Sequence, residues 1–211
     1  MSSQRIIVVG GGAAGFFAAI ACAETATDAE VTVLERGPQF LSKVRISGGG
    51  RCNVTHACFT PRDFATRYPR GEKALLAPFQ KFSARDTVAW FESRGVKLKT
   101  EADGRMFPVS DSSETVVNCL LHSARAAKVK LRVNCGVESV VKNADGGFKV
   151  VLTTESRSHV GVHALACHPN KLKLELQHAE AVLGAPGETL LCDRLLLATG
   201  GCRAAAGQLA V

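Results

Sequence analysis

The sequence is short of aromatic residues and lacks clustered thiols. Of its 211 residues one is Trp, one is Tyr and ten are Phe. No stretch shows the basic–aromatic interleaving of an RNA-recognition motif. The 8 Cys include no Cys-x-x-Cys pair, which removes the zinc-ribbon and thioredoxin-type motifs, and their density is too low for a disulfide scaffold. They read as reduced, intracellular thiols packed like small apolar residues, giving an expected cytoplasmic location. No strict glycine period and no repeat of 20–50 residues is present, excluding collagen and solenoids. A single uncharged run, residues 6–23, approaches the length of a membrane span, and Gly10-Gly11-Gly12 interrupts it. No membrane partner is expected. Residues 1–5 are too short for a secretory or organelle address. Acids are missing from residues 38–61, where Lys43, Arg45 and Arg51 fall.

What remains is a chain with 46% apolar and 21% charged residues, enough to build a core. Its formal net charge is +7, which suits an anionic partner without naming one. Ile6-Ile7-Val8-Val9 reads as a buried strand, residues 13–23 as a helix of small side chains, and Val31-Thr32-Val33-Leu34 as a second strand. Together they make a βαβ unit with parallel strands. A long loop over residues 38–60 closes this first section, residues 1–60. Residues 61–128 read as a helical insertion with a β-hairpin. Thr60 and Pro61 open one helix, residues 72–82 form a second with Pro78 as its weak point, and Ser83 with Asp86 caps a third that Gly95 stops. Residues 96–99 and Arg105-Met106-Phe107 form the hairpin, and Asp111 or Ser112 caps a helix through about residue 127. Residues 129–187 read as an antiparallel meander, with strands at 129–133, 137–142 and 148–153 and an alternation of Leu172, Leu174 and Leu176. Residues 188–211 hold the return strand Leu195-Leu196-Leu197-Ala198, apolar enough for the centre of a parallel sheet.

Three features carry chemistry. Gly10, Gly12 and Gly15 satisfy G-x-G-x-x-G between a strand and a helix. Gly10 permits the tight turn, Gly12 lets a pyrophosphate approach the backbone, and Gly15 lets the helix press on the sheet. The helix N-terminus at Ala13 and Ala14 offers N–H groups and a positive dipole end to the anion. Glu35, twenty residues after Gly15, ends the second strand where an acid accepts hydrogen bonds from ribose hydroxyls and repels a 2′-phosphate. Arg36 follows it. A glycine-rich turn beside a surface glutamate is the plain alternative. The second feature is Ser47-Gly48-Gly49-Gly50-Arg51-Cys52-Asn53, whose consecutive glycines can form an anion nest flanked by Lys43 and Arg51. A flexible basic loop is its plain alternative. The third is Ala198-Thr199-Gly200 at the carboxyl end of a buried strand, the edge at which α/β sheets bind ligands. Cys52 is expected to be packed rather than redox-active. His159, His163, Cys167 and His168 lack the second cluster that would complete a zinc site, so no metal is expected.

A dinucleotide motif, a helical excursion, a meander and a return strand resemble the FAD-binding domains of the glutathione-reductase-like type. The run from Ser47 through Asn53 into Val54-Thr55, with Gly104-Arg105-Met106-Phe107-Pro108 and Leu197-Ala198-Thr199-Gly200-Gly201, resembles the YhiN/BaiN-type flavoproteins, also grouped as aminoacetone-oxidase-family FAD-binding enzymes. The resemblance implies a Rossmann-like α/β fold and FAD as cofactor. It also implies NAD(P)H- or oxygen-linked oxidoreduction of a small molecule. Gly10, Gly12 and Gly15 would hold the pyrophosphate, Glu35 the ribose, and Lys43 with the Ser47, Gly48, Gly49, Gly50, Arg51, Cys52 and Asn53 loop the cofactor toward its flavin. Val137 would meet the adenine through its backbone, and Thr199 and Gly200 would flank the flavin. Members of that family are about twice this long and continue into a substrate domain and a closing strand and helix. The expectation here is therefore a fragment or short form, silent in catalysis or completed by a missing C-terminal half or partner chain. A nucleic-acid-binding module ranks last.

Overall fold

A computed structural model describes residues 3–153, 182–183, 185 and 187–200. The chain divides into two compact units, one of Met1–Phe40 with Ala124–Val211 and one of Leu41–Ser123. Leu172, Leu174, Leu176 and the His159, His163, Cys167 and His168 set lie outside the described residues.

The first unit is built on a five-stranded parallel sheet. Strand β1 (Arg5–Val9) lies between β2 (Glu30–Leu34) and β11 (Arg194–Leu197), and β2 continues to β6 (Lys130–Val133) and β9 (Val182–Leu183). The register runs Val8↔Val33 and Val8↔Leu196, both parallel. Ile6 through Val9 are all buried, as befits a central parallel strand. Helix α1 (Ala13–Thr25) buries Gly15, Phe16, Ala19 and Ile20, positions that recur on one helical face. Sequestering Phe16 and Ile20 contributes about 1.5–3 kcal/mol each. An antiparallel sheet, β7 (Val137–Lys142), β8 (Phe148–Leu152) and β10 (Thr189–Cys192), supplies Val150, Leu152 and Cys192 to the core around Ile7, Val9 and Leu34.

Two expectations need correction here. Residues 129–133 were expected in the meander, yet β6 pairs parallel to β2, with Leu131 opposite Val33. It follows a helical crossover, and a crossover returns a strand in the parallel sense. Alternation in the sequence is the same for either partner. The strand Leu195-Leu196-Leu197-Ala198, expected at the sheet centre, is the outer strand among the described residues. Its Leu196 and Leu197 are 40% and 51% exposed.

The second unit holds α2 (Ser42–Ile46), β3 (Thr55–His56), α3 (Pro61–Ala65), α4 (Glu72–Lys81), α5 (Ala84–Glu92), β4 (Leu98–Thr100), β5 (Arg105–Pro108) and the start of α6 (Ser113–Ala126). The stretch 38–60, expected as loop, contains α2, a glycine turn and β3. Five residues cannot hold a helix by propensity alone. Here Ser113 Oγ donates to the Arg45 carbonyl at 2.7 Å and Arg45 pairs with Glu114. The hairpin is antiparallel, β3–β5–β4, and Gly104 turns it at φ +85° with the His56 ring against its Cα. Pro78 sits inside α4 without ending it. Ser112 accepts the Glu114 N–H at 3.3 Å, so it caps α6. No described helix is long and apolar enough to cross a membrane.

Ser83 and Asp86 form the expected capping box: the Ser83 N–H donates to Asp86 Oδ2 at 2.7 Å, and Ser83 Oγ accepts the Asp86 N–H. Ser83→Ala should therefore lower stability by about 1 kcal/mol, read as a shifted urea midpoint at unchanged slope. In the first unit Glu188 holds Arg132 through both carboxylate oxygens, and that hydrogen-bonded pairing keeps its carboxyl below the usual glutamate value. A depressed carboxyl contributes stability above its unfolded value and loses it as pH falls. Glu188→Gln should flatten the acid limb of the melting temperature between about pH 5 and 3.

Candidate functional site

In the first unit the carboxyl ends of β1, β2 and β11 meet at the glycine turn. Gly10 adopts φ +112°, donates its N–H to the Leu34 carbonyl at 2.8 Å, and lies so close to β11 that a Cβ would sit 2.4 Å from the Ala198 carbonyl oxygen. A Cβ on Gly15 would sit 1.9 Å from the Gly10 carbonyl oxygen. Both positions are closed to any side chain. Gly12 differs: nothing lies within 4 Å of its would-be Cβ, and it is the N-cap of α1 with no side chain capping it. The first turn of α1 carries no acid. A thirteen-residue helix thus presents an open, positively polarised end over a bare residue, which is what a diphosphate requires. The residues present fit an adenine dinucleotide at this edge.

Glu35 is pinned in two places. Its Oε2 accepts the Gly11 N–H at 2.8 Å and its Oε1 accepts the Gly37 N–H at 2.8 Å. The carboxylate points toward the glycine turn, at the mouth of the sheet. Cys135 and Asn134 donate their N–H groups to the carbonyls of Glu35 and Gly37, so the loop before Val137 is tied to the same segment. Val137 itself is half-buried, opposite Leu152. Arg36 is exposed, its stem near Gly136. Thr199 and Gly200 are exposed just beyond β11, and Thr199 N lies 3.1 Å from the would-be Gly10 Cβ. Gly11 and Phe40 escaped the sequence reading. A Gly11 Cβ would be 2.5 Å from the Phe40 ring, which stacks edge-on with Phe16 at 5.3 Å. The extra glycine between Gly10 and Gly12 was the only signal for this contact.

In the second unit, Gly48, Gly49, Gly50 and Cys52 all take positive φ, between 57° and 86°. The Cys52 N–H closes the turn onto the Ser47 carbonyl at 3.0 Å. Gly49 has nothing within 4 Å of a would-be Cβ, whereas Gly48 abuts the Phe107 ring at 3.0 Å. Lys43 and Asn53 are exposed. The Arg51 guanidinium stacks over Phe107 at 4.1 Å and pairs with Glu101 at 2.5 Å and Asp111 at 3.7 Å. The hydrogen bond that Arg51 donates to Glu101 raises the pKa of its guanidinium further. The Asn53 amide nitrogen donates to the Thr55 and Met106 carbonyls. Both side chains brace the loop on the hairpin. Burial pushes the Cys52 thiol up, against a smaller opposing effect of Ser47, so it stays a neutral, packed group. Among the described residues no group of three or more His, Cys, Asp or Glu could hold a metal.

A family model described as the HI0933-like protein Rossmann domain matches residues 4–168. A 3-dehydro-bile acid delta(4,6)-reductase of Clostridium scindens is 32% identical over 143 residues, 68% of this chain and 34% of that protein. A ribosomal RNA dihydrouridine synthase of Escherichia coli is 30% identical over 142 residues, 66% of this chain and 34% of that protein. The aligned part of the chain thus spans about a third of the curated relatives it matches. Among solved structures, Thermovibrio ammonificans THI4 superposes with a TM-score of 0.51 at 16% identity, covering 94% of this chain and 58% of that one.

Two of the motif glycines, Gly12 and Gly15, should separate by phenotype. Gly15→Ala forces a carbonyl clash and should lower the melting temperature by several degrees, read by circular dichroism. Gly12→Val should melt within a degree or two of the wild type, because its side chain meets open space.

Proposed function

The chain belongs to the HI0933-like family of FAD-dependent oxidoreductases, and from that premise we propose that it holds FAD at the carboxyl edge of its parallel sheet with NAD(P)H as electron donor. One observation carries this: of the motif glycines, Gly10 and Gly15 are sealed by protein while Gly12 opens on free space at an uncapped helix end. The diphosphate would lie over Gly12 and the N–H groups of Ala13 and Ala14. Glu35, held by Gly11 and Gly37, would accept the ribose hydroxyls without reorienting, and Arg36 would flank it. The Val137 backbone would meet the adenine, and Thr199 and Gly200 the flavin side. For Lys43 and the loop from Ser47 to Asn53, in the second unit, the family resemblance alone supports a cofactor role. When bound, FAD supplies the relay of a hydride from NAD(P)H to an acceptor. The protein's part is to bind, orient and exclude a 2′-phosphorylated ribose from the Glu35 position.

The names of the two relatives suggest the acceptor class. One is a delta(4,6)-reductase and the other makes dihydrouridine. We infer two-electron reduction of a ring carbon–carbon double bond, in which the ring gains a hydride and a proton. Between a bile acid and an RNA, the +7 charge of this chain favours the polyanion.

Titration of the purified chain with FAD tests the reading. The expected outcome is quenched flavin fluorescence and shifted flavin absorbance, lost in Gly12→Val, with NADH bleaching the bound flavin anaerobically. A wild-type chain that ignores saturating FAD, or a Gly12→Val chain that binds it normally, overturns the assignment.

A further inference from the structure

Residues 59–85 carry six Lys and Arg against two acids, and five of the twelve aromatic residues of the chain. Folding separates these two populations. Phe64 and Ala65 of α3 are buried, whereas α4 has no fully buried residue. The two helices are joined by an aromatic trio: Phe64 and Phe79 with ring centres 4.7 Å apart, Tyr68 at 5.4 Å from Phe79 and 5.6 Å from Phe64. With the apolar groups turned together, the cations face solvent. Arg62, Arg67, Arg70, Lys73 and Lys81 are exposed and make no ion pair with any described residue. The contrast lies within the same unit. Arg45, Arg51, Lys99 and Arg105 are each paired with a carboxylate. Folding gives those four a carboxylate partner and leaves these five, like Lys97, without one.

Three aromatic residues of the same segment are exposed as well. Phe59 is 38%, Tyr68 40% and Phe82 39% accessible. The Arg85 guanidinium already rests over the Phe59 ring at 4.9 Å, so this surface stacks planar cations as it stands. Bare cations alone would suit any polyanion. Exposed rings among them suit one whose flat groups can stack, and stacking needs bases released from a duplex. A lipid surface asks for a continuous apolar helix face, and α4 turns Lys73, Ala74, Ala77, Gln80 and Lys81 outward instead.

We propose that the α3–α4 surface of the helical unit binds single-stranded RNA, with its unpaired cations on the phosphates and Phe59, Tyr68 and Phe82 as stacking platforms. The proposal rests on the RNA reading of the substrate given above. It assigns recognition to residues that share no element with the glycine turn.

The test uses the full chain and fluorescence anisotropy with a labelled oligouridine of about 12 nucleotides. Parallel arms use duplex RNA of equal length, heparin, and phosphatidylserine-containing vesicles. Tight, salt-dependent binding to the oligouridine is expected. Arg67→Gln with Arg70→Gln should reduce the slope of log K against log salt by about 1.4. Tyr68→Ala should weaken oligouridine binding about 5- to 100-fold at an unchanged slope and leave heparin binding unaltered. Phe59→Leu, which keeps apolar bulk and loses the ring, should do the same, and it guards against a folding defect in Tyr68→Ala. Aromatic variants that bind like the wild type would reduce the surface to a plain polycation and overturn the proposal. So would preference for duplex, heparin or vesicles over the oligouridine. FAD titration of the same preparations separates the two readings: these variants should keep the wild-type FAD affinity. A wild-type chain that binds FAD but not the oligouridine sinks this proposal alone, and one that binds the oligouridine but not FAD sinks the cofactor assignment alone.

Discussion

The carboxylate of Glu35 fixes the geometry on which the first unit depends. Two backbone N–H groups, those of Gly11 and Gly37, converge on its two oxygens. One belongs to the turn after β1 and the other to the turn after β2, so a single side chain ties the ends of neighbouring parallel strands. Backbone donors to a carboxylate are charge-assisted and short, and here neither oxygen needs a mobile side chain as partner. The consequence is a glycine turn whose geometry is set by the protein's own hydrogen bonds. Pre-organisation of this kind lowers the ordering cost of binding. Gly11, silent in the dinucleotide pattern, is as constrained as Gly10: the Phe40 ring and the Glu35 stem occupy the space a side chain would need.

Register does the rest. β11 pairs with β1 so that Val9 lies opposite Leu197, which places the Ala198 carbonyl directly against Gly10. The Ala198 N–H in turn donates to the Val9 carbonyl at 2.8 Å. A strand nearly 190 residues away in sequence therefore forms one wall of the turn. Gly10 is closed by β11, Gly15 by the Gly10 carbonyl, and only Gly12 is left open. Two of the three glycines of one short motif thus answer to demands within the protein, and the third faces open space.

Local chemistry was the legible part. The glycine motif, the Ser83–Asp86 box, the turn at Gly104 and the short strands around it depend on residues within a few positions of one another, and the structure reproduces them. What escaped depends on distant partners. Whether residues 130–133 join a meander or a parallel sheet is decided by β2, and alternation cannot report it. Arg51 and Asn53 read as ligand groups because they follow three glycines. The hairpin that claims them, through Glu101, Phe107 and Met106, lies about fifty residues on. Phe40 looks like any core residue until Gly11 and Phe16 are seen against it.

Arg51 also shows why net charge alone does not say where on the chain a partner binds. In sequence it is one of a group of cations in an acid-free stretch, and it invites an anion. In the structure its charge is spent on Glu101 and Asp111 and its flat face on Phe107. The basicity of the glycine loop is therefore smaller than its composition suggests. The cations that carry the positive field of the helical unit are instead those that folding leaves without carboxylates. Counting charges establishes that an anion is welcome; only pairing shows where.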